Sequence, residues 1–277
     1  MFELNQQDLA DLDDIGPWSE IKLRVLEKYV TAYGHIMAAK SQEFLKPVYI
    51  DAFCGKGLSV SRETGDLVEG SPLRALRSGA PFVEYHFVDL NLNSAEALEK
   101  FVGNRSDVSI HVGDCNTVLL DQILPTLKFE TYRRAVCFLD PYAMSYSWQV
   151  VAECGNLKTV DLVLHFPIMA INRRVLRKKR SDVTEEACAL MTFFWGDSSW
   201  EKIAYSGPPM FPEYDPYKVT NEDIVEAYRR RLREAAGFKV VSKPLPLKNS
   251  TGAVIYYLLL ASQKDAARKI MNGIIKA

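Results

Sequence analysis

Four aspartates carry the most visible chemistry in this sequence: Asp51, Asp89, Asp114 and Asp140. Each closes or directly follows a short apolar, β-branched or aromatic run, at 48–50, 85–88, 108–112 and 135–139. A buried ionised carboxylate is costly unless it is paired. Four of them at equivalent strand ends therefore predict a ligand rich in donors. A nucleoside offers ribose hydroxyls and an exocyclic amine, and S-adenosylmethionine adds a cationic sulfonium and an ammonium. Gly55-Lys56-Gly57 follows the first acid and gives a turn where backbone N–H groups approach a ligand with no Cβ between them. It is no phosphate-binding P-loop, because the upstream glycine and the Ser/Thr after the lysine are missing. An acid ending the second strand, Asp89, suits a ribose diol, and Asp114 an adenine amine. Singly, each acid reads equally well as a turn former or helix cap.

Asp140-Pro141-Tyr142 is more specific. The proline fixes the turn, the carboxylate can face the site, and the phenol ring can stack on a planar substrate. Beyond the next strand lies a basic run, Arg173, Arg174, Arg177, Lys178, Lys179 and Arg180. It is either a solvated face or a place for a phosphate-bearing substrate. Cys54 and Cys115 sit near these loops without a histidine at catalytic spacing and read as small buried residues.

The elements that must position these groups alternate strand and helix. An amphipathic helix runs from Trp18 to about Lys40, with Trp18, Ile21, Val25, Tyr29, Tyr33 and Ile36 on its apolar face and Pro17 in its first turn. Strands follow at 48–51, 85–89, 108–112, 135–139 and 160–166, with helices at 72–78, 95–102 and from 114 to about 126. Ser71 and Ser94 are the expected caps, and 58–70 is expected to be a surface loop. Such alternation predicts a parallel sheet with right-handed crossovers. Further helices are expected at 183–195 and 221–236, the latter capped by Thr220 with Asp223 and stopped by Gly237. Strands at 238–242 and 254–261 are expected to pair as an antiparallel edge hairpin.

Composition narrows the class. The 277 residues are 48% hydrophobic and 25% charged, with a formal charge of −1, so nucleic acid would need a local patch rather than a global field. Five cysteines without a C-x-x-C and four histidines without ligand spacing predict reduced thiols in a cytoplasmic setting and no metal. The polar stretch 1–14 is unlike a targeting peptide, and no apolar run reaches membrane-spanning length.

The order glycine loop, acid after strand two, Gly-Asp before a helix and Asp-Pro-aromatic resembles class I S-adenosylmethionine-dependent methyltransferases. A narrower set resembles the three-Cys-motif partner protein family, a methyltransferase-like group of bacteria and their mobile elements. The set comprises Trp18-x-x-x-Lys22-x-x-x-Leu26-x-x-Tyr29, the segment 49–57, Gly70-Ser71-Pro72-Leu73, Gly113-Asp114-x-Asn116, the segment 138–142, Phe166-Pro167 with Asn172-Arg173, and Leu259-Leu260-Ala261-Ser262. The family is named for a neighbouring protein with a three-cysteine, radical-SAM-like motif, which the resemblance implies as a partner. Asp140-Pro141-Tyr142-Ala143 is also similar to the Asp-Pro-Phe-Gly of tRNA guanine-N2 methyltransferases.

The resemblance implies a Rossmann-like, doubly wound, mostly parallel α/β sheet with an antiparallel edge hairpin. It makes 1–277 one methyltransferase-like domain, with a helical extension at 1–46 and an insertion at 168–236 that recognises substrate. S-adenosylmethionine is the implied cofactor. Asp51, Phe53, Gly55 and Gly57 are expected to hold its methionine end, Asp89 the ribose, and Asp114 with Asn116 the adenine. Asp140, Pro141 and Tyr142 are expected to hold the methyl acceptor, a base nitrogen of RNA or DNA, and Arg173 and Arg177 its phosphate. Two other readings stay open. One is a non-catalytic, SAM-sensing partner module. The other is a dehydrogenase, which the incomplete Gly-x-Gly-x-x-Gly disfavours.

Overall fold

The computed structural model describes residues 12–39, 44–205 and 218–276. In chain order its elements begin β1 (Asp13–Ile15), α1 (Pro17–Ala39), β2 (Lys46–Asp51), β3 (Leu58–Ser61), β4 (Leu67–Glu69), α2 (Ser71–Arg77), β5 (Glu84–Asp89), α3 (Leu92–Val102) and β6 (Val108–Val112). A helical stretch opens as α4 (Cys115–Thr117), widens to π geometry over Val118–Ile123 and tightens to 3-10 turns over Leu124–Leu127 and Phe129–Thr131. Then come β7 (Arg133–Leu139), α5 (Trp148–Leu157), β8 (Val160–Phe166), α6 (Ile168–Arg174), α7 (Glu185–Trp195), α8 (Ser199–Ala204), α9 (Asn221–Glu234), β9 (Val240–Val241), β10 (Leu245–Lys248), β11 (Val254–Ser262) and α10 (Asp265–Lys276). Among the described residues no helix is long and apolar enough to cross a membrane.

The main sheet runs β10-β11-β8-β7-β2-β5-β6, with β9 paired to the far end of β11. β6, β5, β2, β7 and β8 are parallel, and β11 lies antiparallel between β8 and β10. The central strands are apolar on both faces because helices cover both. Side chains alternate sides along each strand. Val48, Ile50, Cys137, Leu139, Leu164 and Phe166 face one core with α5, α7 and α9. Tyr49, Phe87, Val136, Phe138, Leu258 and Leu260 face the other with α1, α2 and α3.

The strand order reverses at β2, whose neighbours are β5 and β7. A crevice forms outside the carboxyl ends of the strands at such a reversal. Two contacts tie α1 to the sheet, one near the start of β8 and one just past the end of β7. Tyr29 donates to Asp161 Oδ2 at 2.8 Å, and Lys22 reaches Asp140 at the tip of β7.

Several expectations need correction. The segment 58–70 is no plain loop: β3 and β4 form a hairpin, and β1 adds to it in parallel as a third strand. Ser94 lies inside α3, and Asn91 caps that helix by accepting from Asn93 N–H. Ser71 is the first residue of α2 rather than its cap, because its hydroxyl turns to Asp51. Ile21 is exposed, whereas Leu26 and Val30 join Val25, Tyr29 and Tyr33 in the buried stripe. The edge hairpin is β10 with β11, not 238–242 with 254–261, although β9 does touch the end of β11. β10 carries Pro246 within the strand. A proline lacks a ladder donor, which an outermost strand tolerates. The Thr220/Asp223 capping box is present as expected, and α9 ends at Glu234. Part of the insertion expected at 168–236, residues 206–217, lies outside the described residues.

Candidate functional site

Register alone brings three of the predicted acids together. Asp51 ends β2, Asp89 ends the parallel neighbour β5, and Asp140 follows β7 on the other side. The glycine turn bridges the first two. Gly55 N–H donates to Asp89 Oδ2 at 2.9 Å, and Asn91 N–H donates to Asp89 Oδ1 at 2.8 Å. Gly55 and Gly57 have φ of +61° and +83°, a region that L side chains rarely adopt. At Gly57 a Cβ would also meet Leu98 Cδ1 at 2.8 Å, and its carbonyl accepts from Gly70 N–H at 2.7 Å. The turn is thus fixed from both sides, with its backbone open at Gly55.

Asp51 is fully buried. It accepts from Phe53 N–H at 3.3 Å, from the Tyr49 hydroxyl at 3.4 Å and from the Ser71 hydroxyl. No cation among the described residues pairs with it. Burial pushes its carboxyl up to about 7, opposed by the Ser71 hydrogen bond and aided by the nearby charge of Asp140.

Asp140 shows the opposite electrostatics. Lys22 Nζ from α1 pairs with Oδ2, and Nδ1 of the buried His165 on β8 meets Oδ1. Burial alone would raise this carboxyl, but Lys22 and His165 hold it well below the usual carboxylate range. Burial lowers the His165 pKa, with Asp140 opposing. His165 Nε2 has no hydrogen-bond partner, and its ring lies 5.5 Å from Tyr256 and 5.6 Å from Phe138. A neutral imidazole donating from Nδ1 to Asp140 leaves that Nε2 as an acceptor. Pro141 is buried, and Tyr142 stands 87% exposed at the mouth.

Asp114 and Asn116 have structural partners. Asp114 is exposed and caps α4, accepting from the N–H groups of Asn116 and Thr117 at 3.1 Å. The Asn116 amide accepts from Ser147 N–H at 2.6 Å and donates to Ser145 O at 2.9 Å. It therefore ties the end of β6 to the loop after Asp140, and the Asp114 carboxylate stays open on its outer side. Arg173 and Arg177 are exposed on and just after α6. Cys54 and Cys115 are buried with thiols pushed up by burial, which makes them poor nucleophiles.

Sequence reasoning passed over three groups at this edge. Lys22 and His165 lie 118 and 25 positions from Asp140, and the only signal for His165 was one polar residue in the apolar run 162–166. The third is a pair of exposed apolar residues: Leu90, directly after Asp89, is 76% exposed, and Val112, the register partner of Asp89 on β6, is 50% exposed. Large apolar side chains exposed together beside a polar rim mark a binding surface. Among the described residues no group of three or more His, Cys, Asp or Glu is arranged for a metal ion.

The strand order, its reversal at β2 and the antiparallel last strand define a Rossmann-like, mostly parallel α/β fold. No family model and no curated protein matches the chain. Among solved structures, a Legionella pneumophila protein described by the family model DUF519 aligns over 91% of each chain, at 12% identity and TM-score 0.49. The CurJ carbon methyltransferase aligns over 83% of this chain and 51% of its own, at 13% identity and TM-score 0.42. The magnesium protoporphyrin IX methyltransferase of Synechocystis, solved with SAH, aligns over 95% and 90%, at 12% identity and TM-score 0.36. Likenesses of this strength carry no residue role across, so roles rest on the geometry described above.

Proposed function

We propose that this chain binds S-adenosylmethionine over the tips of β2, β5 and β6 and transfers its methyl group to a base nitrogen of RNA or DNA. The observation that carries the reading is Asp51, a buried carboxylate without a cation beside a glycine turn. A ligand ammonium supplies the missing charge, so the residues present fit a cationic amino-acid end. Asp89 keeps lone pairs for hydroxyls beyond its two backbone donors. Leu90 and Val112 supply an apolar shelf for a planar base. The sulfonium cofactor contributes an already activated methyl carbon. The protein's part is to hold an acceptor in line and stabilise the charge that develops on it. Asp140 orients an acceptor amine as a carboxylate, Tyr142 stacks on its ring, and Arg173 and Arg177 meet phosphate. Because Lys22 and His165 hold Asp140 ionised and weakly basic, its role is orientation.

The test is calorimetry with S-adenosylmethionine. Asp51→Ala should abolish measurable binding while the protein stays folded. Unchanged affinity in that variant overturns the assignment.

A second reading has one observation in its favour: the carboxylate that would orient an acceptor is already engaged by Lys22. On that reading the chain is a SAM-sensing module acting with a three-cysteine partner protein. Binding of the cofactor without methyl transfer to RNA, DNA or protein pools, with or without that partner, selects it.

A further inference from the structure

We propose that Lys218, Asn172 and Asn221 form a phosphate-binding site beyond the tip of β8, one that takes the backbone of a polynucleotide. The inference rests on the substrate class proposed above. It was not among the sequence expectations, which assigned phosphate to Arg173 and Arg177.

A hydrogen-bond balance among three side chains carries it. Lys218 Nζ donates to Asn172 Oδ1 at 2.6 Å and lies 3.5 Å from Asn221 Oδ1. Asn172 Nδ2 donates to Asn221 Oδ1 at 3.0 Å. A lysine ammonium only donates, so it fixes both amides with their oxygens toward it. Both amide oxygens are then used, whereas the two hydrogens on Asn221 Nδ2 have no acceptor among the described residues. The cluster is short of acceptors and carries a net positive charge. An oxyanion supplies both deficits.

The surroundings agree. Lys218 is half-buried, and burial lowers its pKa with no carboxylate opposing. The acids of the facing helix are engaged elsewhere: Glu222 accepts from the Tyr257 hydroxyl at 2.8 Å, and Asp223 from the Thr220 hydroxyl at 2.6 Å. Asn221 is the first residue of the 14-residue α9, so the positive end of a helix dipole adds to the field. Several arginines elsewhere in the fold meet a carboxylate: Arg74, Arg105, Arg133, Arg180, Arg229 and Arg231. Arg173, Arg174, Arg177, Lys178 and Lys179 are exposed with no such partner among the described residues. Asn172 is five residues past Pro167, about 8 Å beyond the tip of β8 at the helical rise. Lys218 is thus the anchored member of an otherwise unpaired basic surface.

The test is fluorescence anisotropy of the full chain with a labelled single-stranded RNA, competed with inorganic phosphate and with a nucleoside monophosphate. Lys218→Gln should weaken RNA binding about tenfold and lower the salt slope, measured between about 50 and 200 mM, by about one unit. Lys218→Arg should recover most of the affinity, and Asn221→Asp should weaken binding at least as much as Lys218→Gln. Competition by the monophosphate at concentrations similar to those for RNA assigns the site to free nucleotides. Competition by RNA alone assigns it to a backbone. Equal RNA affinity and salt slope in wild type and Lys218→Gln, with unchanged melting temperatures, overturns the proposal, as does binding of none of the three probes by the wild type. S-adenosylmethionine calorimetry on Lys218→Gln separates the two readings, since the side-chain partners of Lys218 are Asn172 and Asn221 and none of them bonds Asp51.

Discussion

Asp51 and Asp140 lie at the ends of neighbouring parallel strands, the first fully buried and the second part-buried, and their proton affinities diverge. One has only hydroxyls and a backbone N–H for partners, and its carboxyl rises to about 7. The other has an ammonium and an imidazole, and its carboxyl falls well below the ordinary range. Burial acts alike on the two, so the difference comes from the cation. The lesson is about division of labour. Where the chain provides its own counter-charge the carboxylate is permanent and orienting. Where it does not, the charge is left for a ligand to complete.

The largest expected break of this contrast is Lys22→Met. It leaves the part-buried Asp140 with His165 but without its ammonium partner, which should destabilise the fold by about 3 kcal/mol and lower the melting temperature by roughly 6–10 °C. Lys22→Met combined with Asp140→Asn should recover much of that loss. A single variant that melts with the wild type would remove the claim that the pair matters.

Next in size is a pH effect on the other acid. Asp51 must be ionised to hold a cation, so S-adenosylmethionine affinity should be flat above pH 7 and fall about tenfold per pH unit below it. The stability of the free protein moves the other way. With its folded carboxyl raised, Asp51 favours the fold below about pH 4, and that advantage is lost as pH rises to about 7. The depressed carboxyl of Asp140 stabilises at all neutral pH and loses that effect only in strong acid. Calorimetry from pH 6 to 8 checks the first statement, and an affinity that ignores pH would sink it.

The smallest expected effect sharpens the comparison at a third acid. Asp161, pushed up to about 6 by burial, accepts from Ser262 Oγ at 2.5 Å and from Tyr29 at 2.8 Å. Removing one neutral donor through Tyr29→Phe should cost only about 1 kcal/mol in denaturant melts. A loss as large as that of Lys22→Met would mean that hydroxyls, not cations, govern these sites.

The sheet and the placement of three of the four acids were legible because each depends on local pattern: an apolar run, an acid at its end and a turn. What escaped was whatever distant segments contribute. Lys22 reads as a polar position on an amphipathic helix until the helix is laid across β7. The sheet made of β1, β3 and β4 needs a three-residue partner from before α1, which no periodicity reveals. The capping role of Asp114 is local and was legible, but the loop-tying bonds of Asn116 follow only from Ser145 and Ser147 coming within reach.

The position of β11 has a consequence for biosynthesis. Although it is the last strand made, it is slotted between β8 and β10 rather than added at a rim. A nascent chain that has emerged only as far as residue 253 therefore presents β8, with Leu162, Val163 and Leu164, as a naked apolar border. Such a border invites pairing with other chains. Ribosome stalling or a premature stop codon in that window should yield inclusion bodies rather than a shortened but serviceable protein.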